Sequence, residues 1–123
     1  MKRDISLLME RFGGWAASDS SGVDYSHIAA GFKGLLPPSK VSHRLSCSDS
    51  DGLIIDGCMC QLAKIRPEEH KLLVAHYIYG IPKRQIARRL KRNEKCIRVH
   101  IQLGEGFIDG CLSMLEIKLE MNF

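Results

Sequence analysis

The 123-residue chain has no hydrophobic run long enough to cross a bilayer, which takes roughly 18–20 apolar residues. Basic residues at 1–4 lead into an amphipathic pattern rather than a continuous apolar stretch, so we expect no secretory signal. The sequence also lacks a nucleophile motif and a phosphate-binding glycine loop, because its glycines are scattered through segments of helical pattern. These absences predict neither a membrane protein nor an enzyme, and no cofactor.

Cysteines at metal-binding spacing are missing as well. The five cysteines are an odd number, and only one residue separates Cys58 from Cys60, whereas structural zinc sites usually pair ligands two to four residues apart. Residues 58 and 60 also point to different sides of a helix. A zinc site formed by Cys47, Cys58 and Cys60 with His43 or His70 stays open as an alternative. We expect no metal, and reduced, buried or half-buried thiols of the kind found in a reducing cytosol.

Apolar residues recur at spacings of three and four, and no strand-like alternation of any length is present. The sequence therefore predicts one small all-α domain over residues 1–123. Residues 1–48 form N-terminal helices and a loop, and residues 49–120 form a helical body. The predicted helices cover about 3–17, 25–32, 51–65, 67–79, 82–90 and 93–120, with a polar loop at 37–48.

Two of these helices carry a predicted core stripe. In the third helix the stripe consists of Leu53, Ile54, Cys58, Leu62 and Ile65. In the last helix it consists of Ile97, Ile101, Gly104, Ile108, Leu112, Leu115 and Leu119. Glycines lower helix propensity, so Gly104, Gly106 and Gly110 indicate a kink or a close approach to a neighbouring helix.

Three carboxylates, Asp49, Asp51 and Asp56, lie near the start of the third helix. They allow a metal or acid–base cluster as an alternative. Helix capping is the simpler interpretation of Asp49 and Asp51, because side-chain oxygens accept from the free N–H groups of a helix start.

Positive charge is concentrated in one segment. Residues 83–98 contain eight of the 18 Lys and Arg side chains but only one of the 14 acidic side chains, Glu94. The segment therefore carries +7 while the rest of the chain sums to −3, and the net charge of +4 hides this division. A mildly acidic body with one basic patch favours a polyanion as the partner of that patch.

The same segment has the apolar spacing of a helix-turn-helix, predicted at about residues 83–103. Ile86 and Leu90 on the first helix face the core, as do Ile97 and Ile101 on the second, and Ala87 is small enough for close crossing. The outward positions of the second helix are those that reach base edges in such motifs. They are Asn93, Glu94, Lys95, Arg98, Val99 and Gln102. Among them, Lys95 and Arg98 suit guanine and Gln102 suits adenine.

The other cations of the segment suit phosphates, which fix the register on DNA without reading its sequence. They are Lys83, Arg84, Arg88, Arg89, Lys91 and Arg92. Lys91 occupies the turn position that glycine often fills for its positive φ. A side chain there costs about 1–2 kcal/mol, so we expect a turn that is built differently. The alternative to DNA binding is a helical hairpin with a solvated basic face.

The segment from His70 to Phe107 resembles the region-4 module of bacterial sigma factors. The whole chain resembles a short member of the lambdoid phage Q-type late-gene antitermination proteins. Four segments in a fixed order carry this second resemblance: RDISLLMERFGGWAA (3–17), IAAGFKGLLP (28–37), CSDSDGLIIDGCM (47–59) and LEIKLEM (115–121).

The resemblance implies a mechanism in the host bacterial cytoplasm. The protein would bind duplex DNA beside a late promoter and load onto RNA polymerase paused downstream while the sigma factor is attached. It would then let polymerase read through terminators; in one branch of the family the protein rings the RNA exit channel. Partners would be DNA, RNA polymerase, sigma and in some cases a second copy on the DNA. The lambda-type branch has a zinc finger of paired cysteines, which this chain lacks. The alternatives are a simple promoter-binding regulator and a small metal-dependent hydrolase.

Overall fold

The computed structural model describes residues 3–36, 44–116 and 118–121, and every regular element in these ranges is helical. The predicted all-α class is therefore confirmed. The α-helices are α1 (Ile5–Ala17), α2 (Ser26–Ala29), α3 (Asp49–Ile65), α4 (Pro67–Leu73), α5 (Lys83–Leu90) and α6 (Glu94–Leu115). Two 3-10 turns, Asp19–Ser21 and Ala30–Phe32, and a π turn, Val74–Ile78, complete the set. None of the described helices is both long and apolar enough to span a membrane.

The first helix is buried along one face because its apolar residues recur at helical spacing. The Asp4 carboxylate caps its start by accepting from the Leu7 amide at 3.1 Å. Phe12 and Trp15 are buried in the core. Gly13 is required by a close approach, because a Cβ at this position would lie 1.9 Å from the Tyr77 carbonyl oxygen. Helix α1 therefore packs backbone to backbone against the π turn.

The second predicted helix is shorter and less regular than its pattern indicates. Only Ser26–Ala29 is α-helical, and a 3-10 turn continues it to Phe32. Asp24, the predicted cap, accepts from the Ser26 amide at 2.8 Å, one residue ahead of the N-cap position. Of the predicted loop, residues 37–43 lie outside the described residues, and 44–48 are not helical.

Helix α3 buries only part of the stripe that the sequence predicts: Cys58 and Leu62 are buried and Ile54 is partly buried against the core. Ile55, Met59 and Leu62 are fully buried, whereas Leu53 and Ile65 are 59% and 61% exposed. The prediction was wrong for these last two residues because several stripes of similar hydropathy run along this helix. Contacts with α1, α4 and α6 determine which stripe is buried.

The fourth predicted helix, 67–79, is divided in two. It is α-helical only as far as Leu73, and the π turn Val74–Ile78 follows, with the Tyr79 amide donating to the Val74 carbonyl at 3.2 Å. The Arg44 guanidinium donates to the carbonyls of Tyr77 and Ile78 at 2.5 and 2.8 Å. It thereby satisfies carbonyl oxygens that the end of the helix leaves without an amide partner.

Helix α6 ends at Leu115 rather than near Glu120. The chain turns back at Glu116, which is left-handed, and residues 118–121 return to the start of α3. There the Asp51 carboxylate, 1% exposed, accepts from the backbone amides of Glu120 and Met121, each at 2.7 Å. The predicted extension of the helix is wrong because this buried carboxylate holds the tail in a non-helical path.

The glycines of α6 have different roles. A Cβ at Gly104 would lie 3.0 Å from the side chain of Leu73, so this glycine permits the close approach of α4. Gly106 and Gly110 face open space. The predicted core stripe of this helix is buried from Ile97 to Leu112, and its extension to Leu115 is wrong, since that residue is 59% exposed.

Candidate nucleic-acid interface

Helices α5 and α6 and the turn between them form the surface predicted to bind DNA. Ile86, Ile97 and Ile101 are fully buried and Ala87 is 4% exposed, so these predicted core positions are confirmed. Leu90 is partly buried against the same core. The charged side chains of the segment therefore lie on the opposite faces of both helices. The specific likeness to sigma region 4 stays a prediction.

The turn at residues 91–93 is built in the common way, contrary to our expectation. Lys91 takes the left-handed conformation, with φ 56° and ψ 45°. Its amide donates to the Arg88 carbonyl at 3.2 Å, and the Arg92 amide donates to the Ala87 carbonyl at 2.9 Å. These two bonds form a Schellman motif, in which glycine usually occupies the left-handed position. The prediction was wrong because hydrogen bonding and packing of the two helices outweigh the local strain at Lys91.

The start of α6 is fixed by its own side chains. The Asn93 carbonyl oxygen Oδ1 accepts from the Lys95 amide at 2.7 Å and caps the helix. One turn later Arg98 donates from Nε and Nη2 to Glu94 Oε2, at 3.0 and 2.6 Å. The Arg98 and Glu94 side chains are 54% and 42% exposed, so the pair contributes little to stability. It holds the Arg98 guanidinium on the outer face of α6.

The remaining cations of the segment differ in exposure and in hydrogen-bond partners. Of the predicted phosphate contacts, Arg84, Arg88, Lys91 and Arg92 are exposed. The predicted base contacts Lys95 and Gln102 on α6 are exposed as well. Lys83 is half-buried. Arg92 pairs with Glu68 at 3.1 Å. Arg89 is also exposed, and its guanidinium donates to the carbonyls of Gly31 and Lys33.

A buried carboxylate behind α6 holds the helix in place. Glu69, 4% exposed, accepts from Arg66 Nε at 3.0 Å, and its other oxygen lies 2.5 Å from His100 Nδ1 on α6. Burial raises the pKa of Glu69, but the hydrogen bonds from His100 and Arg66 outweigh it and lower the pKa overall. Sequence reasoning missed this contact, because Glu69 reads only as a first-turn acid and its partner is 31 residues away.

A second buried pair anchors the middle of α6. The Tyr77 hydroxyl donates to Glu105, which is 7% exposed. Burial first, and then the hydrogen bond to Glu105, raise the pKa of Tyr77 well above its usual value. His76 beside it lies with Nδ1 2.9 Å from the Ile81 carbonyl oxygen. The Tyr77–Glu105 contact holds the π turn against α6, and so helps to fix the outer face of α6.

The three aspartates proposed as an alternative cluster have separate partners. Asp49 accepts from Trp15 Nε1 at 2.8 Å, and Asp56 accepts from the Tyr25 hydroxyl. Asp51 holds the C-terminal tail. Capping by Asp49 and Asp51 was wrong, because Ser48 is the N-cap and accepts from the Asp51 amide at 3.2 Å.

The cysteines are free thiols in the described ranges, and there no three His, Cys, Asp or Glu side chains converge on a possible metal position. His43, one of the suggested ligands, lies outside the described residues. Burial raises the pKa of Cys58 to about 11, and that of Cys47 also to about 11. Both groups are therefore protonated thiols near neutral pH.

Comparison with known proteins supports the resemblance noted in the sequence. The chain is 53% identical over 123 residues to a probable antitermination protein Q of Acyrthosiphon pisum secondary endosymbiont phage 1, covering 99% of this chain and 82% of the relative. It is 43% identical over 120 residues to the prophage antitermination protein Q homolog QuuD of Escherichia coli K12, covering 98% and 94% of the two chains.

Among solved structures, the fold is similar to that of the transcription antitermination factor Q21. The TM-score is 0.68, with 17% sequence identity and 91% and 89% of the two chains covered. At this identity the likeness shows the fold alone. The family model described as phage antitermination protein Q matches residues 2–120. With this match and the identities above, the chain belongs to the phage antitermination protein Q family.

Proposed function

We propose that this protein is a transcription antitermination factor that binds duplex DNA beside a phage late promoter. It loads onto RNA polymerase paused just downstream, with the sigma factor still attached, and permits read-through of terminators. The single observation that carries the proposal is a basic helix-turn-helix surface on a chain of the antitermination protein Q family. The site of action is the cytoplasm of the host bacterium.

Helix α6 is the recognition helix in this proposal. Lys95, Arg98 and Gln102 lie on its exposed face and carry the donors and acceptors that read base edges in a major groove. Arg98 exchanges its Glu94 partner for guanine, at the small cost of a surface ion pair. Asn93 and Glu94 lie at the end of the helix that enters the groove. The phosphate contacts are Lys83, Arg84, Arg88, Lys91 and Arg92.

A simple promoter-binding regulator is the alternative, and transcription in vitro separates the two. The template carries the late promoter, its flanking DNA and a downstream terminator, and is transcribed by bacterial RNA polymerase with sigma. Read-through is expected to rise with the protein and to return to baseline when the flanking DNA is scrambled. DNA binding without any read-through would leave only the regulator. A metal-dependent hydrolase would instead turn over a nucleotide or a phosphoester, and this activity would survive the replacement of Arg98.

The DNA contacts are tested by comparing two variants. Arg98→Ala is expected to relax preference at one base pair, by about 1–3 kcal/mol if it reads guanine. Lys91→Ala is expected to weaken binding to specific and random DNA alike. It is also expected to reduce the slope of log affinity against log salt concentration by about one unit, as for the loss of one phosphate contact. Equal losses on specific and random DNA for Arg98→Ala would refute the proposed register of α6. Titration of protein against the site also measures whether a second copy binds.

A further inference from the structure

The segment that follows α2 is fastened to the helix-turn-helix. Arg89 of α5 donates from Nη1 to the Gly31 carbonyl at 3.2 Å and from Nη2 to the Lys33 carbonyl at 2.6 Å. Between these two acceptors, Phe32 is fully buried, and the Lys71 ammonium lies 5.7 Å from the centre of its ring. The backbone at 31–33 is therefore held at a fixed place beside α5, and the exposed Lys33 side chain extends from this fixed backbone.

A groove of about 490 Å³ runs between this segment and α5. Its lining residues are Gly34, Leu35, Gln85, Arg88 and Arg89. None of them is acidic, and two are guanidinium groups. Gly34 has φ +93°, a conformation that L side chains rarely adopt, and a Cβ there would approach Arg89 Nη2 to 3.5 Å. One wall therefore carries no side chain at this point, and the other carries the cation Arg88.

We propose that this groove receives the phosphodiester backbone of the bound duplex. Arg88, which lines the groove, and Lys33, the exposed residue just before the lining residue Gly34, then contact phosphates. The inference rests on the proposed function and extends the DNA contact outside the helix-turn-helix. Charge favours a polyanion in the groove. Continuity favours DNA, because Arg84 and Arg88 are exposed four residues apart on one face of α5. A DNA backbone bound at Arg84 would lie one helical turn from Arg88, which lines the groove. Arg89 is a positioning residue, since its guanidinium is occupied by the two carbonyls.

The test is the salt dependence of binding to a short random-sequence duplex and to the late-promoter flanking DNA. Lys33→Ala removes one phosphate contact, so the slope of log affinity against log salt is expected to fall by about 0.9. The ratio of wild-type to variant affinity then narrows about 3.5-fold between 50 and 200 mM salt. The loss is expected to be equal on the two duplexes, because a phosphate contact reads no sequence.

Lys118→Ala is the matched control. Lys118 is also an exposed lysine, in the tail that Asp51 holds against the start of α3. The control is expected to bind with the wild-type affinity and slope. Because Lys33 is exposed, its replacement is expected to leave the thermal unfolding midpoint unchanged, and this measurement separates lost contact from lost folding.

The role of Arg89 is tested by combining variants. If Arg89 acts only by positioning Lys33, then Arg89→Ala weakens binding in the wild type and costs nothing further in Lys33→Ala. Additive losses would mean that Arg89 contacts DNA itself and would overturn its assigned role.

The inference and the proposed function can fail separately. A wild-type slope for Lys33→Ala, alongside a reduced slope for Lys91→Ala, would overturn the groove while leaving the helix-turn-helix contact intact. It would point to a different occupant, such as an acidic protein segment. A wild-type protein that binds neither duplex at low salt would overturn the proposed function itself.

Discussion

Replacing Lys91 by glycine is expected to stabilise the fold while weakening DNA binding. Lys91 stands in the left-handed conformation at the end of α5, where its Cβ is strained. Glycine adopts this conformation without the penalty. It also removes one cation from the surface proposed to contact phosphate. The two effects act on different measurements, so one substitution tests the turn and the site together.

The magnitude follows from two opposing contributions. Relief of the left-handed strain is worth about 1–2 kcal/mol. Glycine gives back about 0.4–1 kcal/mol of this, since it makes the unfolded chain more flexible. The free energy of unfolding is therefore expected to rise by about 0.5–1 kcal/mol, and the melting temperature by a few degrees. The Schellman hydrogen bonds of the turn use backbone atoms only and are retained.

Lys91→Ala is the control, because it removes the same charge but keeps a Cβ in the left-handed conformation. Urea unfolding followed by far-UV circular dichroism is expected to rank Lys91→Gly about 1 kcal/mol above Lys91→Ala. Both variants are expected to lose the same phosphate contact, with equal changes in the salt slope of DNA binding. Equal stability of the two variants would refute the left-handed turn, and unchanged slopes would refute the phosphate contact.

Three further predictions concern the core and its buried charges. Gly13→Ala places a Cβ 1.9 Å from the Tyr77 carbonyl oxygen and is expected to lower the free energy of unfolding by about 3 kcal/mol. Gly57→Ala, in open space on α3, is expected to raise it by up to about 1 kcal/mol. Urea unfolding measures both changes. Asp51→Asn sets an amide donor against a tail amide, so we expect the free energy of unfolding to fall by about 1–3 kcal/mol and the tail to be proteolysed faster. Unchanged stability and unchanged proteolysis would contradict the role of Asp51 in holding the tail. Burial lowers the pKa of His70 below its usual 6.5, so the unfolded chain takes up the proton first and stability falls as pH drops below about 6.5; a His70→Asn variant whose stability falls as steeply would contradict this.

Buried contacts on the inner side of α6 determine which of its residues face outward. Glu69 holds His100, and Tyr77 holds Glu105, so two polar contacts fix the rotation of α6 about its axis. A rotation of α6 by the angle of one residue, about 100°, would turn Arg98 away from the proposed DNA contact. Residues far from the proposed DNA contacts therefore determine which side chains of α6 face outward.

Local periodicity predicted much of this molecule. The helical class, the end of α1 at residue 17 and the core positions Ile86, Ile97 and Ile101 follow from apolar spacing, since a helix repeats every 3.6 residues whatever it packs against. The basic surface on α5 and α6 follows in the same way, because charge opposite a buried stripe faces solvent.

Tertiary structure decided what depends on partners distant in the chain. The exposure of Leu53 and Ile65, the departure of the tail from α6 and the hydrogen bonds from Arg89 to the backbone after α2 are three examples. Asp51 meets the Glu120 amide 69 residues away, and Arg89 meets the Lys33 carbonyl 56 residues away. Spacings of three and four residues carry no information on such pairs. The sequence by itself determined where helices form and the sign of their charge. Packing between helices determined which side chains lie on the exposed surface proposed to contact DNA, because burial and long-range hydrogen bonds exist only in the folded chain.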